Sequence, residues 1–169
     1  MHDPSVSAVI SMDAAPCHKI TSIRLDDASI IRRSAEVEQE RATALSDLLH
    51  ENYFSPSGLP DGPYDVFLSV RDNRLRFEIG SAQLDSSAEI ILPLAPFRSI
   101  IKDYFLVCET YFDVVKTGDP YRIEAVDMGR RGIHNEGSEL LKSLLEGKIT
   151  MDFDTARRLF TLICVLHIK

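Results

Sequence analysis

The sequence predicts an α+β fold in which a small antiparallel sheet, including a hairpin, packs against a helical layer of about four helices. Three observations predict it. Apolar residues alternate through Tyr64, Val66, Leu68 and Val70 and again through Leu75, Phe77 and Ile79, the period of half-buried strands. From Phe97 to Val115 they recur at three and four, the period of a helix face. The chain has 169 residues, 44% of them hydrophobic, which suffices for one sizeable core without staples.

Residues 1–16 are small, polar and proline-punctuated without a sustained period, and are expected to be a disordered tail preceding a single domain over residues 17–169. Ile20, Ser22 and Arg24 alternate with Thr21, Ile23 and Leu25 as a strand between Lys19 and Leu25. Ser34 stands before a helix over about Ala35–Asn52, whose first turn carries Glu36 and Glu38 and whose apolar residues include Ala42, Leu45, Leu48 and Leu49. The cluster SPSGLPDGP cannot continue it. A hairpin turn at Asp72-Asn73 pairs Val70 with Leu75, Leu68 with Phe77 and Val66 with Ile79. Its other face, with Asp65, Ser69, Arg74, Arg76 and Glu78, is solvated apart from Phe67, which marks a contact surface. Ile90 to Leu92 adds a strand.

A long helix opened by proline runs from Pro96 to Lys116, and Gly118 stops it. Asp119 and Pro120 start a short helix through about Val126, a third helix spans Glu136–Glu146, and Ile149, Met151 and Phe153 alternate as a strand. Asp154 caps a final helix whose face holds Ala156, Leu159, Phe160 and Ile163.

A net charge of -7 repels phosphate backbones, so nucleic acid is an unfavoured partner. Cys17, Cys108 and Cys164 are odd in number and far apart, against a disulfide framework or thiolate metal site and in favour of reduced thiols in a cytoplasm. The first residues lack the basic start of a secretory signal, and no apolar run approaches the ~20 residues of a membrane span. The five histidines show no ligand spacing. Neither metal nor cofactor is implied.

One segment concentrates chemistry: DMGRRGIHNEGS, Asp127 to Ser138, expected as a turn between two helices. Its glycines permit close backbone approach, Arg130 and Arg131 offer planar donor forks for a carboxylate or phosphate, and amides of the following helix would add a favourable dipole. The expected ligand-binding residues are Arg130, Arg131, His134, Asn135, Glu136 and Ser138. Beside this stands plain helix punctuation, with the glycines ending and starting helices, Asn135 capping and the arginines solvated. Arg32-Arg33 and Arg157-Arg158 read as solvated helix faces, a reading that convergence with Arg130 and Arg131 would change. Cys108 and the aromatic stripe Tyr104, Phe105, Tyr111 and Phe112 read as core, with part of the stripe's wide arc free to meet a second subunit.

The strings ITSIRLDDASIIRRSAEVEQERATALSDLLHEN, FRSIIKDYFLVCETYFD, RIEAVDMGRRGIHNEGSELL and FDTARRLFTLICVLH resemble the bacterial uncharacterised protein family 0262. The resemblance covers nearly everything after residue 16. That family has no assigned activity, so the resemblance implies a bacterial, cytoplasmic protein and transfers no catalytic residue.

Three functions are therefore expected in order. The first is a non-enzymatic module binding an anionic or phosphorylated small ligand at Asp127–Ser138. The second is a protein-interaction or homo-oligomerisation factor using the aromatic helix and the Phe67 face. The third is a hydrolase or transferase with His134 and Glu136 as acid-base residues.

Overall fold

The computed structural model describes residues 17–27, 35–81 and 87–167. In chain order these form β1 (Ile20–Leu25), α1 (Ala35–His50), β2 (Phe54–Pro56), β3 (Tyr64–Arg71), β4 (Arg74–Ser81), β5 (Ser87–Pro93), a 3-10 turn (Ala95–Phe97), α2 (Arg98–Thr117), α3 (Pro120–Leu144), β6 (Ile149–Met151) and α4 (Phe153–Leu166). The architecture is α+β. The expected tail over residues 1–16, the Ser34 cap and the pair Arg32-Arg33 lie outside the described residues.

The hairpin has the register its alternation predicts, with Val66 opposite Ile79, Leu68 opposite Phe77 and Val70 opposite Leu75. Asp72 and Asn73 both take positive φ, 54° and 61°, as a two-residue turn matched to strand twist requires. On the polar face, Asp65, Arg74, Arg76 and Glu78 are exposed. Ser69 departs from expectation and is buried, at the floor of a recess walled by Arg71, Arg74, Arg76 and Ile91. Long arginine stems readily cover a short side chain. Phe67 is half-buried under Arg24, whose guanidinium carbon lies 5.0 Å from the ring centroid, a cation–π contact.

The sheet order is β1-β3-β4-β5, and it is mixed where the sequence predicted an antiparallel sheet. β1 runs parallel to β3, pairing Ile20 with Tyr64 and Leu25 with Leu68. The chain between them includes α1, the kind of crossover a parallel pair needs; alternation within β1 carries no information on direction. β2, Phe54 and the first two residues of the Pro/Gly cluster, pairs antiparallel with β6 in a second, two-stranded sheet. The buried Asn52 ties β1 to the end of α1: its side chain accepts from the Ile20 N–H at 2.8 Å and donates to the carbonyls of Ile20 at 2.9 Å and Leu48 at 2.8 Å. Asn52→Ala leaves these buried backbone groups unpaired, and a loss of about 1–3 kcal/mol is expected in urea unfolding.

Gly118 ends α2 at φ 71°, and Asp119 caps α3 by accepting from the Tyr121 N–H. Here the largest correction arises. The predicted short helix, turn and third helix are one continuous helix of 25 residues, Pro120–Leu144. None of Gly129, Gly132 or Gly137 takes a positive φ. A glycine inside a helix costs about 1 kcal/mol relative to alanine, which packing of α3 on α2 and α4 can outweigh. Gly137 is buried, and a Cβ there would clash with the Phe160 ring of α4, well inside van der Waals contact of three of its atoms. The glycine is a point of close helix approach, not a break.

α4 is the centre of the core. All residues from Leu159 to Leu166 are buried, covered by α1, α3 and β3. Its cap is Asp152, which accepts from the Thr155 N–H at 2.9 Å; the predicted cap Asp154 instead occupies the first turn, where the dipole favours an acid. Among the described residues no helix is long and apolar enough to cross a membrane.

Candidate functional site

A helical Asp127–Ser138 redistributes the predicted residues around an axis, at 100° per residue. Arg130, Arg131 and His134, at i, i+1 and i+4, share one side and line a cavity of about 270 Å³. Ser138 is buried behind them, donating to the His134 carbonyl. Asn135 and Glu136 are exposed and outside the cavity wall. Glu136 lies about 200° around the axis from His134, so the two cannot act on one substrate as an acid-base pair. The expected helix-start amides are absent as well, because mid-helix N–H groups bond to carbonyls four residues earlier.

The second wall comes from α4, where Arg157 and Arg158 line the same cavity with Thr161 and Asp154. Two arginine pairs that sequence reading separated thus converge. The third wall is α1, through Glu40, Thr43, Ala44 and Asp47. Sequence reading missed these, although their spacing of three, four and seven places them on one helix side.

Arg130 is held from several directions. Its guanidinium meets Asp127 at 3.1 Å and Glu40 at 3.5 Å and lies over Tyr111 at 4.5 Å. Burial opposes its charge, but the Asp127 hydrogen bond and the Glu40 and Asp127 carboxylates prevail, so its pKa stands above the ordinary value. Glu40 also accepts from the Tyr104 hydroxyl at 3.0 Å. Arg131 pairs with Asp127 at 3.1 Å. By contrast, among the described residues no carboxylate lies within ion-pair distance of Arg157 or Arg158. The Nε atoms of Arg130 and Arg157 are buried without a hydrogen-bond partner. A buried donor left unpaired is costly, and two of them border one cavity.

His134 is buried between the rings of Tyr104 and Phe160. Desolvation, with the Arg157 and Arg130 charges, lowers its pKa to about 4, so it is neutral at physiological pH. The Thr161 hydroxyl donates to the Arg157 carbonyl at 3.0 Å and lies 3.4 Å from His134 Nδ1. The hydroxyl has one proton for these two acceptors, so its rotation and the tautomer of His134 are linked. Cys108 is a core thiol, its pKa pushed up to about 12 by burial and then by Glu40. All three cysteines are free. The aromatic stripe divides as follows: Tyr104 is buried, and Phe105, Tyr111 and Phe112 are half-buried.

The composition of the cavity is therefore four arginines, a neutral histidine, two threonine hydroxyls and three carboxylates, one of them already engaged. Such a set can bind and orient an anion; it contains no activated nucleophile.

Comparison with known proteins places the chain. It is 54% identical over 158 residues to a UPF0262 protein of Caulobacter vibrioides, covering 94% of this chain and 98% of the relative. It is 55% identical over 151 residues to one of Paramagnetospirillum magneticum, covering 89% and 96%, and 51% identical over 158 residues to one of Xanthobacter autotrophicus, covering 93% and 96%. No solved structure matches it. The model of the Uncharacterised protein family (UPF0262) matches residues 17–169, nearly all of this sequence, and the chain belongs to that family.

Proposed function

We propose that the protein is a non-enzymatic binding module for an anionic or phosphorylated small ligand, held in the cavity between α1, α3 and α4. The observation that carries this reading is the convergence of Arg130, Arg131, Arg157 and Arg158 on one concave surface in a chain of net charge -7. Acidic side chains abound, yet among the described residues none lies within ion-pair distance of Arg157 or Arg158. Arginine forks match phosphate and carboxylate oxygens. Relative to the sequence expectation, the site as proposed keeps Arg130, Arg131 and His134, gains Arg157 and Arg158, and leaves out Asn135, Glu136 and Ser138.

Inorganic phosphate, pyrophosphate, nucleoside monophosphates and sugar phosphates are the probes for a thermal-shift series. A ligand at a hundred times its Kd stabilises by about 2.7 kcal/mol, roughly 5–10 °C in Tm for a domain of this size. Arg157→Ala and Arg158→Ala should each abolish most of that shift while leaving the unliganded Tm within a few degrees. The reading fails if no anion raises Tm.

A second reading, self-association or a protein partner, is favoured by Leu106, Tyr121 and Met128 of α2 and α3, which are 63%, 84% and 61% exposed. Tyr121 and Met128, at i and i+7, share one side of α3, and a contiguous apolar exposure of this kind marks an interaction surface. Sedimentation equilibrium tests it: a strictly monomeric chain at high concentration that recovers no partner in pull-downs removes it.

A further inference from the structure

The cavity has a second chemical pole. Thr43 and Asp47, at i and i+4 of α1, and Asp154 in the first turn of α4 face the same space as the four arginines. Glu40 is engaged by Arg130 and Tyr104. Among the described residues neither Asp47 nor Asp154 has an ion-pair partner. Ionised carboxylates only accept hydrogen bonds, and they repel a bare phosphate nearby. A pocket built for an inorganic anion alone gains nothing from two such groups on its wall. A ligand carrying hydrogen-bond donors as well as a phosphate satisfies both poles. Size narrows the class further: about 270 Å³ lies at the lower edge of the roughly 300–1,000 Å³ of drug-sized ligand sites, too little for a dinucleotide.

We infer that the ligand is a compact phosphate monoester whose carbon skeleton carries hydrogen-bond donors, its phosphate on Arg157, Arg158 and Arg130 and its hydroxyl or ammonium groups on Asp47, Asp154 and Thr43. This rests on the anion-binding reading above and specifies which anion. The donors orient the molecule across the cavity, bridging α1 to α4.

Calorimetry on the full chain tests the inference with ethyl phosphate, which lacks donors, glycerol 3-phosphate and ribose 5-phosphate, which add hydroxyls, and phosphoethanolamine, which adds an ammonium. At least one donor-bearing ester should bind ten times or more tighter than ethyl phosphate, and the tighter arm identifies the donor. Asp47→Ala and Asp154→Ala alter exposed side chains and should erase that difference while leaving ethyl phosphate binding equal or stronger. Equal affinity for all four esters, or an equal loss for all in the variants, overturns the inference and leaves a simple anion site. If no phosphate binds at all, the anion-binding reading itself falls.

Discussion

Phe160→Ala should lower the unfolding free energy by about 3–5 kcal/mol, a large share of the roughly 5–15 kcal/mol that holds a domain together. The ring is fully buried where four elements meet: Phe97 lies at 6.5 Å between centroids, Tyr104 at 6.1 Å and His134 at 6.2 Å. Gly137 presses on the same ring, which makes a sharper test available. In the parent chain Gly137→Ala overpacks the α3–α4 contact and should cost about 1–3 kcal/mol, against the usual helix preference for alanine. In the Phe160→Ala background the obstruction is gone, and the same substitution should stabilise by up to about 1 kcal/mol. Urea midpoints of the four proteins, at constant m, give the coupling. Simple additivity would show that the close approach plays no part.

The second large effect is on pH. His134 has a folded pKa of about 4 against about 6.5 when unfolded. Above pH 6.5 neither state carries the proton. Between 6.5 and 4 the unfolded chain binds a proton that the folded chain refuses, so stability is complete above 6.5 and is lost as pH falls. By pH 4 the loss should be on the order of 3 kcal/mol. Carboxylates add their own acid sensitivity, so the comparison is with His134→Gln, in which the decline between pH 7 and 4 should shrink by about that amount. Parallel pH profiles for the two proteins would refute the assignment. A bound anion should steepen the profile less than its absence, because added negative charge beside Arg157 and Arg130 favours the imidazolium.

Sequence information was sufficient where the deciding interactions are local. Val66, Leu68 and Val70 fix the hairpin register through a two-residue turn, and Asp119 and Gly118 mark helix ends through their own backbone groups. It was insufficient where distant contacts decide. Gly129, Gly132 and Gly137 look like punctuation because their helix cost is local, whereas the Phe160 ring that Gly137 admits lies on another helix. The direction of β1 is likewise set by a partner across α1. For the cavity, Arg130, Arg131 and His134 were legible as chemistry. Arg157 and Arg158 looked like an ordinary solvated helix side, and Glu40 and Asp47 drew no notice, because only the packing of three helices brings them around one cavity. Asn135 and Glu136 were included by proximity in sequence, which a helical period scatters.

The parallel pairing of β1 also orders events in time. β3 and β4 meet across two residues, with little chain entropy to overcome, whereas Ile20 reaches Tyr64 only after all of α1 and β2 has been brought round. Asn52 binds the start of β1 to the end of α1, so these two travel together. The sheet therefore assembles from its middle outward and opens from the β1 edge first. Amide exchange in β1 should outpace that in β4; exchange of both only at the global unfolding rate would contradict this order. The first of the described strands along the chain is thus the last to join the sheet and the first to leave.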